Sequence, residues 1–141
     1  MVALLDVNVL IALFDRRHTM SEKVGEWFAV NASAGWSTCA ITQNGFVRII
    51  AQPMYPHALK PFQALALLKK ACAQPTHEFW TCDVAITDSS VDAHRVLVSS
   101  QVTDVYLLAL AVARGGQLVT LDHRIDTHAV AGATDSSLIV L

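Results

Sequence analysis

Short apolar runs of strand length alternate with helix-patterned stretches along this whole chain, and that alternation constrains the fold more than any other feature. The runs VALLD, GWSTCAI, QLVTLD and SSLIVL carry Val, Ile and Leu with little polar alternation, the pattern of strands buried on both faces. A further strand is expected at residues 79–82, within HEFWTCDVAI. Helical patterns fill the gaps. Residues 7–14 follow Asp6, which can cap them. MSEKVGEWFAVNA offers Ser21 as a cap and places Val24, Trp27, Phe28 and Ala29 on an apolar face. TQNGFVRIIAQP runs to a stop at Pro53, and residues 62–73 bring Leu65, Leu67 and Leu68 to buried spacing. SSVDAHRVLVSS reads as a short helix. TDVYLLALAVARGG is the clearest helix, begun by Thr103 or Asp104 and ended by Gly115 and Gly116. Strand–helix alternation with short links predicts an α/β fold, a mostly parallel sheet covered by helices on both faces. No repeat or linker divides the chain, so residues 1–141 are expected to form a single domain.

Composition narrows the function classes. Apolar residues make up 53% and charged residues 16%, which excludes a disordered chain. So apolar a composition predicts more apolar surface than a monomer buries, and hence a homodimer or partner interface. The net charge of −2 carries no global nucleic-acid signature, so any such binding must be local. Cys39, Cys72 and Cys82 are odd in number and lack metal-type spacing, which fits free thiols in the cytoplasm. The N-terminus has no basic n-region, and Asp6 and Asn8 interrupt its apolar run. It reads as neither a signal peptide nor a membrane span.

Three aspartates stand out for where they fall. Asp6 ends the first strand, Asp104 opens the strongest helix, and Asp122 ends QLVTLD. In open parallel sheets, functional groups gather beyond the carboxyl ends of the strands, where all three can meet. Each also has a plain structural role open to it: Asp6 and Asp104 as helix caps, Asp122 as a turn former. Two carboxylates ~4 Å apart repel by roughly 4 kcal/mol at an effective dielectric near 20, so a cluster of three requires protonation or a cation. A hard divalent ion, Mg2+ or Mn2+, takes oxygen ligands and can activate water against a phosphate. Asn8, one turn into the next helix, can orient a carboxylate or a metal-bound water.

The blocks LLDVNVLIALF, TCAITQNGFVRII, VTDVYLLALAVARGGQLVTLD and the HRI that follows resemble, in order and spacing, the PIN-domain ribonucleases. Within them they resemble the VapC-type toxins of bacterial toxin–antitoxin pairs, over essentially the whole chain. The resemblance implies a PIN-like α/β/α sandwich and a Mg2+- or Mn2+-dependent endoribonuclease acting on structured RNA, often tRNA. It further implies a cognate VapB-type antitoxin that silences the enzyme, and a homodimer. Asp6, Asp104 and Asp122 match the family's metal-binding aspartates, and Asn8 and Thr120 match flanking polar residues. Thr120, two residues before Asp122, is placed to fix that carboxylate with its hydroxyl. One departure stands out: where the family carries a glutamate in the helix after strand two, this chain has Gln43. Glutamine keeps an oxygen donor but removes a negative charge. The outcomes open are an active enzyme with a lighter site, an unusual metal requirement, or a catalytically weakened module that binds RNA or protein.

An acidic pocket repels RNA, so cations must rim it. Arg124, two residues after Asp122, is the best placed for a phosphate contact, and Arg48 is a second candidate; for each, an ordinary solvated charge is the competing reading. His123 reads as an exposed turn residue, and Trp27, Trp36 and Trp80 as core or interface. Other doubly wound folds fit less well. A receiver domain needs a lysine late in the chain, and none follows Lys70. An Asp-x-Asp phosphatase would have its general acid where Asn8 stands, and no glycine-rich phosphate loop is present.

Overall fold

The structure is a computed structural model describing residues 1–141. Its centre is a five-stranded sheet in the order β3-β2-β1-β4-β5, with every neighbouring pair parallel. The strands are β1 (Ala3–Leu5), β2 (Trp36–Cys39), β3 (His77–Trp80), β4 (Gln117–Thr120) and β5 (Leu138–Val140). Leu4 faces one core while Ala3 and Leu5 face the other, the two-residue period of a strand buried on both sides. This is the α/β class expected.

One face is covered by α1 (Val7–Phe14), α2 (Ser21–Asn31), α3 (Ala40–Ile50) and α4 (Pro61–Cys72), which supply Val9, Leu10, Val24, Phe46, Ala64 and Leu68 to a common core. The other face is covered by α5 (Val102–Ala113), in which every residue from Val105 to Ala111 is buried. A helix apolar all round needs cover on both sides, and α5 packs between the sheet and the irregular segments around Val91, Val96, Ala129 and Val130. Trp36 and Trp80 are buried and Trp27 packs on the first core, as their apolar surroundings suggested.

Three expectations need correction. The third strand runs over His77–Trp80, earlier than residues 79–82, because its pairing with β2 sets Cys39 opposite Trp80 and ends there. SSVDAHRVLVSS forms no α-helix: the Asp92 carboxylate accepts from the His94 amide and closes a single 3-10 turn, Ala93–Arg95. Helix α5 begins at Val102, fed by a 3-10 turn at Ser99–Gln101, so Asp104 lies inside its first turn and does not cap it. No helix is long and apolar enough to cross a membrane.

Candidate active site

The strand order reverses at β1. The chain steps outward from β1 to β2 and β3, then returns through α5 to β4 on β1's other side. That switch point opens a crevice beyond the carboxyl ends of β1 and β4. Asp6 directly follows β1, Asp122 lies just past β4, and the start of α5 brings in Asp104.

Asp6 is 6% exposed and bound on both oxygens. Its Oδ1 accepts from the Val7 amide at 2.7 Å, which starts α1, and its Oδ2 accepts from the Thr120 hydroxyl at 2.7 Å. It is thus a helix cap that also lines the crevice. Burial raises its pKa, the Thr120 and Val7 hydrogen bonds pull it down, and the Asp122 charge adds a smaller upward push. Thr120 therefore serves a different carboxylate from the one expected. Since β4 lies beside β1, its hydroxyl reaches Asp6, while Asp122 contributes only its backbone amide to that oxygen at 3.1 Å. Asn8 completes the arrangement: its side-chain amide donates to Thr120 Oγ1 at 3.3 Å, and its oxygen accepts from the Leu121 amide at 3.1 Å. Asn8 orients Thr120, and Thr120 orients Asp6.

Asp104 carries the largest electrostatic strain of the three. Burial, then the charges of Asp6 and Asp122, push its pKa up to about 6. Asp122 is the opposite case, held below the usual carboxylate range by Arg124. The Arg124 guanidinium donates to both Asp122 oxygens, at 3.0 and 2.9 Å, and its backbone amide adds a third bond at 2.9 Å. The Arg124 side chain is 80% exposed. As these side chains stand, no three His, Cys, Asp or Glu groups form a ready ligand set. The donors are nonetheless hard oxygens, and the Asp6 and Asp122 charges add to burial in raising Asp104, against a smaller opposing effect of Arg124, so the residues fit a divalent ion.

Two depressions meet at Asp104. An open groove on one side is lined by Asp6, Asn8, Asn44, Arg48, Thr103 and Asp104. On the other side a smaller pocket is lined by Asp104, Asp122, Arg124 and residues of the 98–101 and 125–126 segments. The PIN-domain family profile matches residues 3–131. This chain belongs to the PIN-domain family. Within it, the chain is 51% identical to the ribonuclease VapC44 of Mycobacterium tuberculosis, over the full length of both proteins. It is 39% identical to VapC39 of the same organism, over 96% of this chain and 99% of that protein. Among solved structures it resembles VapBC2 of Rickettsia felis, bound to a DNA fragment from its promoter. That match has a TM-score of 0.67 at 13% identity, covers 100% of this chain and 98% of the other, and bears on the fold alone.

The PIN fold makes the placement of Gln43 informative, because the structure does not bring it to the aspartates. Its amide donates to Thr38 Oγ1 at 2.9 Å and to Cys72 Sγ at 3.8 Å, facing α4. Successive helix residues are turned by about 100°, and the next one, Asn44, is exposed and lines the groove with Asp6. Sequence reasoning missed Asn44; the apolar phase of α3, set by Phe46 and Ile50, is the signal that locates it. Arg48, one turn further, lines the same groove.

Proposed function

We propose that this chain is the toxin of a type II toxin–antitoxin pair: a divalent-metal-dependent endoribonuclease that cleaves structured RNA, tRNA first among candidates. The observation that carries it is the Asn8–Thr120–Asp6 chain of hydrogen bonds beside an Asp104 charged against its neighbours. The ribonuclease names of the VapC relatives support the same reading. Asp6, Asp104 and Asp122 would hold the ion, Mg2+ or Mn2+. When bound, such an ion polarises a phosphoryl oxygen and lowers the pKa of a water. The chain's own residues do the rest. Thr120 and the Val7 amide keep Asp6 in one orientation. Burial strengthens Asp6 as a proton acceptor while Arg124 weakens Asp122, so Asp6 is the better base of the two. Arg48 lines the open groove, where it meets an RNA phosphate. The exposed Arg124–Asp122 pair is cheap to break, so Arg124 can transfer to a phosphate as well.

We assign as partners a cognate VapB-type antitoxin and a second copy of the chain. Exposed Met54, Phe62 and Leu65 supply apolar surface for such contacts. A second reading, a PIN module that binds RNA or protein without cutting, draws on the open ligand set. Incubating the protein with total tRNA under Mg2+, Mn2+ or EDTA, with Asp6→Ala as control, separates the two. Discrete metal-dependent cuts, absent from the variant, are expected. An uncut RNA pool from folded protein under every metal refutes the nuclease.

A further inference from the structure

The smaller depression beside the aspartates has a composition of its own. Its cavity, about 220 Å3, shares Asp104 and Asp122 with the acidic crevice but is walled by Val98, Val105 and Ile125 and rimmed by Ser100, Gln101 and Asp126. Three carboxylates, Asp104, Asp122 and Asp126, face it against one guanidinium, Arg124, already bound to Asp122. That balance repels a phosphate. Aliphatic walls with a polar rim suit a flat, uncharged ring that carries hydrogen-bonding edges.

The rim's free valences are specific. Gln101 Oε1 is committed to the Leu97 and Val98 amides at 2.7 and 3.0 Å, so Gln101 can offer only its amide N–H donors. Asp126 Oδ1 accepts from the His128 amide at 2.9 Å and lies 3.1 Å from His128 Nδ1, while Oδ2 accepts only from Arg95 at 3.1 Å and so keeps a lone pair free. A donor and an acceptor on one rim match a nucleobase edge, and guanine is the base that sets two adjacent donors, N1–H and N2–H, against a carboxylate while its O6 accepts from an amide N–H. Position agrees with chemistry. Asp104 is the wall between this pocket and the open groove, so a phosphate at the aspartates has one neighbouring nucleotide on each side.

Resting on the nuclease reading for its substrate class, we propose that the pocket formed by Val98, Ser100, Gln101, Val105, Ile125 and Asp126 receives one unstacked guanine of a single-stranded RNA segment, next to the phosphate to be cut. A base can enter such a pocket only when out of its stack, so the site selects loops over duplex.

The test reads the walls directly. Methyl NMR resonances of Val98, Val105 and Ile125 are followed while guanosine, which carries no phosphate for the carboxylates to repel, is titrated into the full-length protein without metal. GMP, AMP, CMP, UMP and ribose 5-phosphate follow in the presence of Mg2+. Saturable shifts of these methyls with guanosine and GMP, weaker with the other bases and lost in Ser100→Trp, are expected. Equal shifts with every nucleotide or with ribose 5-phosphate, or none with guanosine, overturn the proposal. Because no cleavage is read, a failed nuclease assay and an empty pocket are distinguishable results.

Discussion

Replacing Asp104 by Asn should stabilise the metal-free protein while destroying its activity. The carboxyl's pKa is raised to about 6, chiefly by burial and by the facing Asp6 and Asp122. A folded-state value above the unfolded one means that the native state binds protons more tightly between about pH 4 and 6, so stability falls as pH rises through that window. At pH 8 the full penalty is present. Taken from an ordinary value near 3.9 it would be about 3 kcal/mol, and because Asp104 is partly exposed, solvent screening reduces it to roughly 1–1.5 kcal/mol. Asparagine keeps the shape and removes the charge. Urea denaturation in EDTA should therefore show Asp104→Asn more stable than wild type by about that amount at pH 8, with an unchanged m value, and equal to it near pH 4. Saturating Mn2+ should stabilise wild type and leave the variant unmoved. A variant equally destabilised at both pH values would refute the reasoning, because it would make Asp104 a structural residue and not a charge waiting for a cation.

Other substitutions probe the supporting shell. Thr120→Val removes the donor to a buried carboxylate and should cost about 1–3 kcal/mol at pH 7 in urea melts, with Thr120→Ser recovering most of it. Gln43→Glu should leave calorimetric Mn2+ affinity unchanged, since this side chain faces Thr38 and Cys72, whereas Asn44→Ala should weaken cleavage of the same RNA. Gly45→Ala drives a methyl to 2.6 Å from Val7 Cγ2 where α1 meets α3, and should cost about 1–3 kcal/mol by thermal or chemical denaturation.

The inner strands were legible because β1, β2 and β4 are buried on both faces, so Leu4, Leu118 and Val119 stand in apolar runs, whereas the half-exposed edge strand β3 was placed two residues late. The aspartates were legible for a related reason: each is a polar residue at the end of such a run or helix. What escaped detection depends on neighbours in space. That Thr120 serves Asp6 follows from β4 pairing with β1, and strand order is not a local property. Gln43 and Asn44 differ in helical phase, one bonded toward α4 and the other exposed on the groove. The pocket beside Asp104 is built from the irregular 98–101 and 124–126 segments, which have no periodicity to read. Polar SSVDAHRVLVSS looked helical in composition, yet Asp92 gives its backbone a closer partner than the next helical turn.

The central question is whether the three aspartates hold one ion together. Calorimetric titration of Mn2+ into the metal-free protein, repeated on Asp6→Asn, Asp104→Asn and Asp122→Asn variants with verified folding, measures that directly. The prediction is saturable binding in wild type that each single substitution weakens severely, and that competing Mg2+ displaces. Mn2+ binding that survives all three substitutions unchanged would contradict the claim and place the metal, and the chemistry, elsewhere.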